Sequence, residues 1–113
     1  MTIQYKNQGI NLTTTDTTNV VTCPSDGTVL IKQIQLDNSS GSPVNLSVQV
    51  TDTSATATFS ISRKAVAANT VLDVINQTLV LEGGDILKMT AGTANEIQGI
   101  VSYALLDRSQ ENG

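Results

Sequence analysis

Between Val44 and Arg63 apolar and polar residues alternate at period two in two successive runs, Val44-Asn45-Leu46-Ser47-Val48-Gln49-Val50-Thr51 and Ala55-Thr56-Ala57-Thr58-Phe59-Ser60-Ile61-Ser62-Arg63. Side chains on a strand point alternately to its two faces, so each run predicts a strand with one buried face. The short polar turn Asp52-Thr53-Ser54 between them makes the pair a hairpin. The outward set on this reading is Asn45, Ser47, Gln49, Thr51, Thr56, Thr58, Ser60 and Ser62, uncharged throughout, with Arg63 on the inward register. Such a face is suited to scaffolding or docking, and these eight residues are the candidate docking surface.

Similar patterns occupy the rest of the chain. Ile3/Tyr5 and Ile10/Leu12 are short alternations in residues 1–12, read as an edge strand or a docking arm. A Thr-rich stretch, residues 13–18, leads into Asn19-Val20-Val21-Thr22-Cys23, and Pro24-Ser25-Asp26-Gly27 predicts a turn. From Val29 to Leu36 the apolar parity slips by one, since Val29 and Ile31 share a face and Ile34 and Leu36 share the other. That slip predicts a bulge near Lys32-Gln33. After a loop at 37–43 and the hairpin, residues 65–69 form a small-residue connection too short for a stable helix. Strands are expected at 70–75 and 79–82, with Gly83-Gly84-Asp85 turning the chain into Ile86–Thr90. A loop at 91–95 precedes the last strand, 96–107, with Ile97, Val101, Tyr103 and Leu105 on one face. Residues 108–113 read as a disordered tail.

About eight short strands without a credible helix predict an all-β fold, an antiparallel, jelly-roll-like sandwich of two four-stranded sheets. A small barrel is the alternative. At 113 residues the chain makes one domain, residues 1–107, able to bury roughly two thirds of its unfolded surface.

Composition narrows the function. Six basic residues against ten acidic ones give a net charge of −4, which argues against a nucleic-acid groove. No apolar run reaches transmembrane length and the first residues lack a secretory h-region, so the expectation is a chain made in a cytoplasm, with no membrane partner. Histidine is absent, which removes the commonest general base and metal ligand. Cys23, the single cysteine, has no imidazole partner and reads as a small buried hydrophobe. Glu82 and Asp85 flank the Gly83-Gly84 turn, but a glycosidase pair needs a cleft and stacking aromatics, and aromatics are 3% of this chain. A pocket joining Glu82, Asp85 and Glu96 would revive catalysis. Asp16, Asp26, Asp37 and Asp52 fall in or beside expected loops without the close acidic spacing of a calcium loop. The sequons at Asn11, Asn38, Asn45 and Asn76 are expected by chance in a chain so rich in Asn, Ser and Thr. No enzyme activity, cofactor or metal is expected.

The order of pieces from residue 28 to residue 106 carries a resemblance. Strand Val29–Leu36 leads to Asp37-Asn38-Ser39-Ser40-Gly41-Ser42, then alternating Val44–Val50, then Ala67-Ala68-Asn69-Thr70-Val71-Leu72. Leu79-Val80-Leu81-Glu82-Gly83-Gly84-Asp85-Ile86-Leu87 and Ile100-Val101-Ser102-Tyr103 follow. This resembles the small β-sandwich virion proteins of tailed bacteriophages. The resemblance implies a virion component: a head decoration (cement) protein bound to the major capsid protein, or a tail or neck accessory protein engaged in host adhesion. It further implies a homo-oligomer, dimer or trimer, and carries no catalytic motif.

Overall fold

The computed structural model describes residues 2–75 and 77–108. Among them there is no helix, and the strands are β1 (Thr2–Leu12), β2 (Thr18–Thr22), β3 (Gly27–Asn38), β4 (Val44–Asp52), β5 (Ala57–Val66), β6 (Thr70–Asp73), β7 (Leu79–Leu81), β8 (Ile86–Ala91) and β9 (Ile97–Asp107). One sheet runs β1-β9-β3-β6, with β7 also on β3, and the other runs β2-β8-β4-β5; every pairing is antiparallel. The chain crosses between sheets at six of the eight connections between these strands, which is the wrapping of a jelly roll. The expected sandwich is therefore found, with two separate sheets and free edges rather than a closed barrel. One count is corrected: the first sheet has five strands. Twelve-residue β3 is long enough to pair β7 through Val29–Ile31 and β6 through Gln35–Asn38 along the same edge.

The bulge in β3 lies where the parity slip places it. Its register against β9 shifts between Ile31 and Gln33, leaving Lys32 as the extra residue. Val29 and Ile31 before it, and Ile34 and Leu36 after it, all reach the core. Across from them stand Leu46, Val48, Leu87 and Met89 of the second sheet, and Ile97 and Val101 of β9 complete the same buried cluster. β-branched and leucine side chains fill such a pleated interior well, and burying each contributes about 1.5–3 kcal/mol before chain entropy is counted.

Buried polar side chains tie both ends of the sandwich. Asn38, fully buried, donates from Nδ2 to the carbonyls of Ser42 (3.0 Å), Val66 (3.0 Å) and Ala67 (3.3 Å), while its Oδ1 accepts from the Ser40 amide at 2.9 Å. It thereby fastens the end of β3 to the end of β5 in the opposite sheet. At the other end Asp85 accepts from the amides of Thr53 (3.1 Å) and Glu82 (3.0 Å), joining the β4–β5 turn to the β7–β8 turn. Gly83 packs against Ser25, where a Cβ would meet the Ser25 carbonyl oxygen at 2.5 Å, and Gly84 takes a φ of 90° that favours glycine.

Strand β5 departs from the expected hairpin with one buried face. Phe59 is 53% exposed and Ile61 39% exposed, and β5 is the outermost strand of its sheet. Its register against β4 also shifts: Val48 faces Ser62, while Gln49 faces Ser60, so Ile61 is a bulged residue. Arg108, placed in the expected tail, donates its amide to the Asp26 carbonyl at 3.0 Å, while residues 109–113 of that tail lie outside the described residues.

Candidate interaction surfaces

The bulge at Ile61 decides which residues share the outer face of the second sheet. Before it, β5 presents Thr58 and Ser60 outward beside Thr51 and Gln49; after it, Arg63 and Ala65 point outward beside Ser47 and Asn45. The structure thus brings together Asn45, Ser47, Gln49, Thr51, Thr58 and Ser60. It does not bring in Ser62, which stands opposite buried Val48 on the inner register, nor Thr56, which sits in the turn with a φ of 50°. Arg63, expected inward, is on the outer register for the same reason.

Strand pairing extends this face with residues the sequence reading had not joined to it. Thr90, Lys88 and Ile86 of β8 stand beside Ser47, Gln49 and Thr51, and Asn19 and Thr22 of β2 stand beside Lys88 and Ile86. The alternation in 86–90 was visible in the sequence, but which strand neighbours which was not. The result is a set of cross-strand rows, Thr90-Ser47-Arg63, Asn19-Lys88-Gln49-Ser60 and Thr22-Ile86-Thr51-Thr58. Neighbours in such rows lie about 4.5–5.5 Å apart at Cβ. Hydroxyls link them: Thr51 Oγ1 and Thr58 Oγ1 are 2.9 Å apart, and Thr17 Oγ1 and Thr90 Oγ1 are 2.8 Å apart. The face is hydroxyl- and amide-rich, with Lys88 and Arg63 as its cations.

The outer face of the first sheet is different in kind. Its rows Ile3-Leu106-Thr28 and Tyr5-Ala104-Leu30-Val80 form an apolar patch in which Tyr5 is 84% exposed. Farther along β1 the face sinks at Gly9, where a Cβ would meet nothing within 4 Å, into a shallow dent of about 430 Å³ lined by Gly9, Ile10, Asn11, Asp37, Gln98 and Gly99.

The candidate chemical groups lie apart. Asp85 is engaged in the turn clamp; Glu96 lies beyond the opposite end of β8, where its carbonyl accepts from the Ser39 amide at 3.2 Å, so the two do not meet. Cys23 is buried, its Sγ donating to the Pro24 carbonyl at 3.5 Å, and burial pushes its thiol above the ordinary value. Asp16 and Asp26 sit in separate connections, Asp37 on the outer face of β3 rather than in a loop, and Asp52 at the end of β4. Among the described residues no three His, Cys, Asp or Glu side chains cluster as a metal site would require. The Asp52 carboxylate is held below its ordinary range by the Ser54 hydroxyl (2.7 Å) and then by the Ala55 and Ser54 amides, which is turn chemistry.

No family model and no curated protein matches the sequence. Solved structures do match in shape. The protein of Bacillus endospore appendages, described as a family of disulfide-linked pili, superposes with a TM-score of 0.54 at 15% identity over 94% of this chain and 88% of that one. A protein of the T13 IBDV viral particle superposes with a TM-score of 0.52 at 8% identity; 94% of this chain is covered, which spans 31% of the viral one. These likenesses show the fold, a jelly-roll-like β-sandwich that a pilus protein and a virus-particle protein share with this chain.

Proposed function

We propose that the chain is a structural component of a tailed-bacteriophage virion, a decoration protein that binds the major capsid protein and cements the head shell. The observation that carries the proposal is the outer face of the β2-β8-β4-β5 sheet. Rows up to four strands wide offer hydroxyls and amides with two cations among them. Neutral donors and acceptors are cheap to desolvate compared with ions, and bridging waters complete imperfect contacts, so such a face can hold a large, wet interface. The compact sandwich beneath it gives the rigidity a cement needs, and the reading assigns the chain no catalytic step. The shared fold with a virus-particle protein and the order of turns from residue 28 to residue 106 support the same role.

Purified protein is expected to rebind stripped or expanded heads to a saturating, symmetry-matched stoichiometry and to raise their melting temperature. Thr58→Lys, beside the hydroxyl pair with Thr51, is expected to keep the fold and weaken that binding. Failure to bind any capsid form would refute the proposal. Adhesion to host cells in place of capsid binding would return the tail or neck accessory role.

A further inference from the structure

Strand β1 is an edge: β9 covers one side of it, and no strand among the described residues pairs with the other. Edges of this length are usually guarded by proline, inward charges or a covering loop. Here residues 3–11 read Ile-Gln-Tyr-Lys-Asn-Gln-Gly-Ile-Asn, without proline, and Lys6, on the inner register with Ile10 and Leu12, is the single charge guarding the edge. The same strand carries a projecting ring at Tyr5 and a dent at Gly9, both on the outer register and four residues apart.

We propose that a second copy of this chain adds antiparallel to β1 about a two-fold axis through Asn7, joining the two five-stranded sheets. Continuous faces require residues of like register to pair, so the axis must pass through a residue. Through Asn7, each Tyr5 lies opposite Gly9 of the other copy, Ile3 opposite Asn11, Lys6 opposite Gln8, and Asn7 meets its own amide. The ring fills the dent and covers exposed Ile100, which neighbours Gly9 on β9; aromatic-over-glycine pairs are a known means of fixing register. An axis through Lys6 would oppose two ammonium groups, one through Tyr5 would leave both dents empty, and one through Gln8 would set Lys6 against Ile10. Two rings covering roughly 150–250 Å² each, with nine paired residues on each side, bring the buried area near the ~1,000 Å² of a specific interface.

Sedimentation of the full chain from about 1 to about 200 µM tests this. A concentration-dependent dimer is expected. Gly9→Val, which meets no monomer atom through its Cβ but occupies the dent, and Tyr5→Ser should each raise the dimer dissociation constant about tenfold or more with unchanged circular dichroism. Asn7→Cys should give a disulfide-linked dimer under oxidised glutathione, because paired Cα atoms about 4.5–5.5 Å apart suit that bond, whereas Tyr5→Cys should not. A strict monomer, a dimer indifferent to both Gly9→Val and Tyr5→Ser, or cross-linking through Gln49→Cys instead of Asn7→Cys would each overturn it.

Discussion

Asn38 offers the sharpest test of how the two sheets are held in place. Replacing it with Leu keeps roughly its volume but removes every polar contact of a side chain that is 0% exposed. The Val66 carbonyl loses the Asn38 amide in a fully buried position, the Ala67 carbonyl and the Ser40 amide lose Asn38 in partly buried ones, and the Ser42 carbonyl keeps the Ser40 hydroxyl at 2.6 Å. The buried loss costs about 1–3 kcal/mol and the part-buried ones less, because water reaches them, so a total of about 3 kcal/mol is expected. At about 2.1 cal/mol/K per residue, 113 residues unfold with about 0.24 kcal/mol/K, which converts the loss to a fall of about 12 °C in Tm. Urea and thermal unfolding followed by far-ultraviolet circular dichroism measure both quantities, since the chain has no Trp to report. A loss below about 1 kcal/mol would mean that Asn38 does not fasten the end of the sandwich.

Other perturbations test separate parts of the account. Gly99→Ala places a methyl against the Gln35 carbonyl and Leu36 in the middle of the β3–β9 pairing, and should cost about 3 kcal/mol or abolish soluble expression; wild-type stability would contradict the register. Deleting Lys32 removes the bulge yet keeps Val29, Ile31, Ile34 and Leu36 on one face, so the product should still fold, whereas inserting an alanine after Gln33 turns Ile34 and Leu36 outward and should cause aggregation. Asp52 is held below its ordinary value near 3.8, so its contribution to stability is present above that pH and is lost as the pH falls through the folded-state value. The Tm gap between wild type and Asp52→Asn should therefore close below about pH 4; a gap unchanged down to pH 2 would refute the assignment. Cys23, buried and with its thiol raised, should react with a thiol reagent roughly a hundredfold more slowly in the native protein than in urea, and rapid native labelling would contradict its burial.

The parts of this fold that were legible in the sequence are those where local pattern and tertiary environment agree. The slip between Ile31 and Ile34 announces the Lys32 bulge because both halves of β3 are buried. The second bulge was hidden because Phe59-Ser60-Ile61-Ser62 alternates strictly, and Phe59 and Ile61, read as core, are largely exposed on an edge strand. A signal existed in Val66, whose even position conflicts with Phe59 and Ile61 on one face. Asn38 looked like a loop residue and a chance sequon; nothing local distinguishes an amide that caps three carbonyls from one that meets water. The hydroxyl face was half visible, as Asn45 to Thr51, while its extension through Thr90, Lys88, Asn19 and Thr22 depends on jelly-roll pairing between strands far apart in the chain.

Whether, and by which surface, this sandwich meets a phage head as proposed is tested most directly by a cryo-electron microscopy map of heads saturated with the purified protein. Copies of the jelly roll are expected at symmetry-related positions on the head, with the Ser47, Gln49, Thr51, Thr58 and Ser60 face against the capsid shell. Density showing that face turned to solvent, or a head free of the protein, would contradict the proposal.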